Sequence, residues 1–114
     1  MKVAFLFLTL IALLALPLAL KGDGCRLQGV DPDTAKIGDT LGARGESIGK
    51  TSVDELYLTD GTTDYKMVIV QQDEKVIRFK IPANVKPGRY NLMIKTAGAS
   101  PKLLEQPVKL EIEG

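Results

Sequence analysis

The sequence contains neither histidine nor tryptophan, and it has a single cysteine among its 114 residues. Without an imidazole there is no His general base, no His metal ligand and no Ser-His-Asp or Cys-His catalytic group. A single cysteine cannot form an internal disulfide or a zinc cluster. These absences favour a protein that is not an enzyme and that needs no cofactor.

The chain also lacks an excess of charge of either sign. Its 15 Lys and Arg side chains are balanced by 14 Asp and Glu side chains. Domains that bind nucleic acid usually carry a clustered basic excess that neutralises phosphates. The charge balance therefore predicts that nucleic acid is not a partner.

Residues 1–24 differ in character from the rest of the chain. Val3 to Leu20 carry no charge and follow Lys2, which is the arrangement of an export signal or a membrane anchor. As a helix, this segment would span about 27 Å, close to the thickness of the hydrocarbon core of a bilayer. We expect a hydrophobic leader helix, with the remainder of the chain outside the cytoplasm.

The end of this leader leaves three fates open. Gly22 and Gly24 form a small-x-small site, so cleavage before Cys25 would leave that cysteine as an N-terminus for lipid attachment, as in bacterial lipoproteins. Alternatively, the leader stays uncut as a membrane anchor, or the product is freely secreted. In each case residues 25–27 are expected to form a tether, followed by one folded domain over residues 28–114.

The exported part alternates apolar and polar side chains with the period of two that is typical of half-buried strands. Turn-forming residues separate these segments at intervals of about ten residues. The predicted strands cover residues 26–30, 40–44, 53–58, 66–71, 76–81, 89–95 and 108–112. Residues 60–64 are predicted to close a hairpin between the third and fourth of them. The pattern predicts an all-β, immunoglobulin-like sandwich of about seven strands.

Two segments share the spacing of their Pro, Gly and apolar residues with a known domain family. They comprise Val30–Pro32, Ala35–Leu41 and Arg44–Gly49 in the first half, and Val76–Leu92 in the second. Together they resemble the IPT/TIG domain over residues 28–113. The resemblance implies an early-set immunoglobulin-like sandwich of the kind found in cell-surface receptors, extracellular bacterial proteins and some transcription factors. It implies no catalytic motif.

Two further patterns indicate ligands but are explained more simply by turns. Gly45 to Thr51 is similar to a phosphate-binding loop, but its spacing is one residue short and a strand is predicted after it, so we expect no nucleotide binding. Several aspartates offer oxygens of the kind that bind calcium, although Asp is also an ordinary turn residue. They are Asp31, Asp33 and Asp39 in one group and Asp60 and Asp64 in another.

The run Met67-Val68-Ile69-Val70 is apolar on both faces. The simpler interpretation is a central strand that is covered on both sides. Otherwise one face, either Met67 with Ile69 or Val68 with Val70, is exposed and available to a partner protein.

These observations together predict a non-enzymatic, extracytoplasmic module for protein binding or structural spacing at the cell envelope. Its expected partners are the membrane, through the leader or a lipid, and another envelope protein. The alternative is an accessory module of an extracellular polysaccharide-processing system, which would contact sugar through Tyr57 or Tyr65.

Overall fold

The computed structural model describes residues 24–114, so the predicted leader, apart from Gly24, lies outside the described residues. Within the described range there is no helix with the length and apolar character needed to cross a membrane. The secondary structure of this range consists of nine strands, and the fold is therefore all-β, as the sequence predicts. In chain order the strands are β1 (Arg26–Asp31), β2 (Thr34–Ala35), β3 (Thr40–Glu46), β4 (Val53–Thr59), β5 (Asp64–Lys66), β6 (Val68–Gln72), β7 (Val76–Lys80), β8 (Gly88–Thr96) and β9 (Leu103–Ile112).

The strands form two sheets. Sheet A has the order β1-β3-β7-β6, and sheet B has the order β2-β9-β8-β4-β5. Neighbouring strands are antiparallel, except that the short β2 runs parallel to β9. The first segment of the chain thus contributes β1 to sheet A and β2 to sheet B.

A single apolar cluster joins the inward faces of the two sheets. Its members include Ile77 and Phe79 from sheet A and Leu92 and Ile94 from sheet B, all 0% exposed. Each strand contributes alternate residues because successive side chains of a strand point to opposite faces. Alternation along the predicted strands places seven of these side chains on the inward face, and all seven are buried, namely Leu56, Leu58, Ile77, Phe79, Tyr90, Leu92 and Ile94.

The predicted connection around residues 60–64 does close a hairpin with β4, but the second strand of this hairpin is β5 and not a strand over residues 66–71. β4 pairs with β5, whereas β6 belongs to the other sheet and pairs with β7. The chain changes sheets at Met67, whose amide still donates to the carbonyl of Leu56 over 2.8 Å. Met67 is buried, and its side chain in the core holds this crossing point in place.

The first strand begins where the sequence predicts, and the last strand is longer than predicted. β1 starts at Arg26, the start of the predicted strand over residues 26–30, and Leu27 is 3% exposed, so these two residues lie in the fold and not in the expected tether. Cys25 is partly buried and packs against the core. β9 starts at Leu103, before the predicted start at Val108.

Gln106 is a buried polar residue that connects the two sheets. Its side-chain oxygen accepts a hydrogen bond from the amide of Leu27 over 2.8 Å, which links β9 to β1. Its amide nitrogen donates to the carbonyl of Leu104 over 3.2 Å. Both polar ends of a side chain that is 7% exposed are therefore satisfied.

Candidate functional site: an unpaired strand edge

β6 is the outermost strand of sheet A, next to β7. Among the described residues no strand pairs with its other side, which we call the β6 edge. Val68 and Val70 on this strand are 49% and 53% exposed, whereas Met67 is buried and Ile69 is partly buried. The interpretation of this run as a central strand covered on both faces is therefore wrong, and the pair Val68 and Val70 faces solvent.

Both ends of β6 are held to the rest of the fold. At its start, Met67 is buried and bonded to Leu56. At its end, the side-chain amide of Gln72 donates to the carbonyls of Ile48 and Val53, over 2.9 and 3.0 Å. The β6 edge is therefore a preformed surface whose backbone needs little ordering before it contacts another molecule.

Two cations, Arg78 and Lys80, lie beside the exposed valines. Lys80 is directly opposite Val68, and Gln71, next to Val70, is opposite Arg78. Since Phe79 points into the core, its two neighbours point to the outer face of sheet A. We call Arg78 and Lys80 the cationic pair.

The cationic pair is not neutralised locally, in contrast to the other cations of this sheet. Arg26 lies 3.7 Å from Glu46, and Arg44 lies 2.7 Å from Asp31. Within the described part of the chain, neither member of the cationic pair has a carboxylate within 4.0 Å. The outer face of sheet A therefore carries free positive charge next to its exposed apolar strand.

A shallow groove of about 530 Å³ extends this surface beyond the start of β6. Its lining is mostly apolar and includes Val68, Lys80 and Ile37, the last 49% exposed. Gly38 also lines the groove, and its amide donates to the carbonyl of Ile81 over 2.8 Å. The exposed apolar surface thus continues from the β6 edge to Ile37.

The other sheet edges differ from the β6 edge. On the opposite side of sheet A, β1 has charged residues in ion pairs and an irregular register after Leu27. The edges of sheet B are β2 and β5, of two and three residues. Short strands, charges and bulges are the usual means by which edges avoid unwanted pairing. β6 also has a register irregularity, between Ile69 and Gln71, but it combines a free edge with exposed apolar side chains and contains no charged residue.

The two tyrosines considered for sugar binding do not form one platform. Tyr57 is opposite Lys66, and Tyr65 is opposite Leu58, which is fully buried, so the two tyrosines point to opposite faces of sheet B. Tyr65 packs against the core and stacks edge-to-face on Tyr90, with ring centroids 5.8 Å apart. Tyr57 alone is on the outer face.

Tyr57 belongs to a polar cluster on that outer face. Its hydroxyl donates to Glu55, whose other oxygen lies 3.0 Å from the ammonium group of Lys66. The hydrogen bond to Glu55 raises the pKa of Tyr57 to about 12, and partial burial adds to this shift. The same hydrogen bond and that from Lys66 lower the pKa of Glu55. Each group holds the other in the protonation state that it has at neutral pH.

Three of the five aspartates considered for calcium take part in turns or in an ion pair. Asp60 accepts hydrogen bonds from the amides of Thr62 and Thr63, which lower its pKa. Asp39 accepts one from the amide of Lys36, and Asp31 binds Arg44. Over residues 24–114 no three His, Cys, Asp or Glu side chains are grouped as a metal site would need.

The segment that is similar to a phosphate-binding loop joins two strands of different sheets. It begins with the last two residues of β3 and leads to β4, whose first residue is Val53. Ile48 in the middle of this loop is 0% exposed, and its amide donates to the carbonyl of Glu74 over 3.0 Å. A helix N-terminus, which such a loop needs for phosphate binding, does not follow it.

Comparisons with protein-family models and with curated proteins gave no match. Among solved structures, the chain is similar to a protein from Bacteroides vulgatus ATCC 8482 that is described as a "Putative bacterial DNA binding protein". The two share 20% identity with a TM-score of 0.58, over 73% of this chain and 42% of the other. The chain thus matches less than half of that protein's length. At this identity, the likeness establishes the fold.

The description of this neighbour contradicts our prediction that nucleic acid is not a partner, and we correct that prediction. The error lies in the use of total charge. The net charge of +1 averages over the whole chain, whereas binding depends on the local field of one surface. The cationic pair shows that a balanced chain can still carry free positive charge on one face.

Sequence reasoning missed the cationic pair and Ile37 as parts of the candidate site. The sequence predicts that Arg78 and Lys80 lie on the polar side of an alternating strand. It does not predict that they have no acidic neighbours, because this depends on which strands flank β7. Ile37 was visible only as part of a turn. Its place beside Val68 follows from the pairing of Gly38 with Ile81.

Proposed function

We propose that this chain is an exported, non-enzymatic binding module of the cell envelope, with an immunoglobulin-like domain of the IPT/TIG type. The proposal of export rests on the uncharged segment from Val3 to Leu20 behind Lys2. Attachment would follow from an uncut leader or from a lipid on Cys25. The three fates of the leader remain distinct hypotheses.

The strand arrangement supports the immunoglobulin-like assignment. The two sheets contain the same neighbours, in the same order, as the strands A-B-E-D and G-F-C of immunoglobulin domains. Tyr90, near the start of β8, donates its hydroxyl hydrogen to the carbonyl of Lys86 over 2.6 Å. This contact resembles the tyrosine corner of such domains, in which a tyrosine near the start of strand F bonds to the backbone a few residues upstream.

The observation that carries the binding proposal is the apolar β6 edge. A free edge offers unpaired backbone donors and acceptors, and monomeric proteins usually protect such edges with charge or with short strands. Here the strand exposes about half of Val68 and of Val70. A partner that covers this strand would remove apolar surface from water and pair the free backbone groups.

Photo-cross-linking in the native cells tests this proposal. A photoreactive amino acid at position 70, in place of Val70, should form an adduct with an envelope protein. The matched control is the same amino acid in place of Asp54, which is exposed on β4 of sheet B and should give no such adduct. An absence of adducts at position 70, or equal adducts at both positions, would contradict the proposal.

The intact mass of the protein from the membrane fraction tests export and separates the three fates. A mass that begins at Cys25 with added acyl chains indicates a lipoprotein, and a mass that retains Met1 indicates an anchor. A mass without leader or lipid, found outside the cell, indicates secretion. An intact, unmodified chain confined to the cytosol would refute export.

The alternative function in sugar binding would have to rely on Tyr57 alone. Tyr57 is partly buried and its hydroxyl already donates to Glu55. Tyr65 is directed into the fold and stacks on Tyr90. The β6 edge is therefore the better supported contact surface.

A further inference from the structure

We propose that the β6 edge binds an extended, acidic segment of a partner protein, which adds to sheet A as a fifth strand. This inference rests on the proposed binding function and specifies the partner's conformation and charge. It follows from three features of one surface: a free backbone edge, two exposed valines, and two cations without acidic neighbours.

The backbone of β6 is suited to strand addition. In a sheet, alternate residues direct their N–H and C=O groups to the same side, so the β6 edge presents hydrogen-bonding groups to any extended chain beside it. The five residues of β6 are held between the buried Met67 and the bonded side chain of Gln72. The strand is therefore held extended before any partner binds, with one register irregularity between Ile69 and Gln71 that an added strand would accommodate.

The side chains of β6 determine what the added strand should carry on each face. On the outer face, its residues would lie about 4.8 Å from Val68 and Val70 and would contact them with their aliphatic parts. On the inner face, its residues would cover the exposed part of Ile69, which packs against the core. Apolar residues on the inner face and residues with long aliphatic stems on the outer face would satisfy both contacts.

The cationic pair specifies the charge of the outer-face residues. β6 would lie between β7 and the added strand, so these two strands would be about 10 Å apart. A Lys or Arg side chain of β7 and a Glu side chain of the added strand are together long enough to meet over the outer face of β6. Since Arg78 and Lys80 have no carboxylate within 4.0 Å in the described chain, an incoming carboxylate competes with no existing ion pair there. Glutamates on the outer face would therefore complete this surface.

A second copy of this chain fits the same surface less well. β6 has the sequence Val-Ile-Val-Gln-Gln and contains no acidic residue. If two copies paired through β6, two cationic pairs would approach one another on the same sheet without a compensating carboxylate. An acidic strand from a different protein removes this repulsion.

The test uses the full-length protein and a fluorescent, end-blocked peptide of about nine residues that alternates Glu with Val. We expect saturable binding by fluorescence anisotropy, and backbone amide shifts in the NMR spectrum that are confined to β6, β7 and the adjacent groove. Exchanging Glu for Lys in the peptide should abolish binding. Methylating alternate peptide nitrogens, which removes the donors for the ladder, should do the same.

Two double variants separate a local effect from a change in total charge. Arg78→Glu with Lys80→Glu should weaken binding about tenfold or more, since attraction becomes repulsion. Arg89→Glu with Lys109→Glu changes the net charge equally, at exposed positions of sheet B, and should leave the affinity within about twofold. Thermal unfolding of each variant checks that the fold is retained.

Several results would overturn the inference. They are equal losses in the two double variants, undiminished binding of the methylated peptide, amide shifts elsewhere on the surface, or self-association through β6 that excludes the peptide. Tighter binding of a duplex DNA oligonucleotide to the same residues would also overturn it. If the peptide does not bind while the cross-link at position 70 persists, the inference fails and the proposed function stands. If that cross-link is absent, the proposed function itself fails.

Discussion

The buried side chain of Gln106 allows a direct test of how the two sheets are joined. Replacing it by methionine keeps the approximate volume but removes the oxygen that accepts the Leu27 amide over 2.8 Å. A buried donor without a partner destabilises a protein by about 1–3 kcal/mol. The lost donation to the carbonyl of Leu104, at 3.2 Å, adds less because Leu104 is only partly buried. We therefore expect Gln106→Met to lower the free energy of unfolding by about 2 kcal/mol.

For a domain of this size, that loss corresponds to a fall in Tm of about 10 °C. Urea unfolding measures the change in stability, and native-state hydrogen exchange measures the protection of the Leu27 amide, which should fall along with it. Gln28→Met is the matched control, because Gln28 is exposed on the same strand as Leu27 and its side chain makes only a long hydrogen bond of 3.4 Å. Stability of Gln106→Met equal to that of the control, with the Leu27 amide still protected, would refute the reasoning.

Two further predictions concern the packing of β1 on β3 and the polar cluster on sheet B. Gly45→Ala should destabilise the fold much more than Gly42→Ala in thermal unfolding. An added Cβ at Gly45 would lie 2.2 Å from the backbone oxygen of Arg26, whereas an added Cβ at Gly42 would have its nearest neighbour 3.8 Å away. Equal losses of stability in the two variants would contradict this packing. The phenol of Tyr57 should titrate near pH 12, because its hydroxyl donates to Glu55. Since this pKa is raised from about 10 on folding, the associated stability is complete below pH 10 and is lost as the pH rises through 12. When the absorbance of phenolate is followed against pH, the transition near pH 12 should be missing in Tyr57→Phe. A titration curve of Tyr57→Phe that equals that of the unchanged protein would exclude this hydrogen bond.

Alternation of side chains was sufficient to predict most strands and the core. The pattern from Val76 to Ile81 places Ile77 and Phe79 inside, and both are fully buried. Such predictions succeed because the face of a strand that packs against the core is set by local sequence, one residue at a time. The same alternation places Tyr90 on the inward face of its strand, and Tyr90 is 5% exposed.

The pairing of strands was harder to predict, as the segment around Met67 shows. The sequence predicts one strand from Lys66 to Gln71. In the structure, Lys66 pairs with Tyr57 in sheet B, and Val68 pairs with Lys80 in sheet A. Apolar residues on both faces of this run fit a covered strand, and equally a strand that leaves one sheet and becomes the edge of the other. Nothing local distinguishes these cases, because the difference depends on contacts with residues distant in sequence.

The sequence alone determined the class of the fold, the identity of most core residues and the contrast between the uncharged, apolar segment of residues 3–20 and a charge-balanced remainder. These properties depend on composition and on short-range periodicity, which are present in the chain before it folds. The tertiary structure decided which strand became an edge, which valines remained exposed and which cations were left without carboxylates. Those properties are set by the order of strands in sheet A, where β7 separates the ion-paired β3 from β6. The candidate binding surface is thus a consequence of long-range pairing between segments that show no functional motif individually.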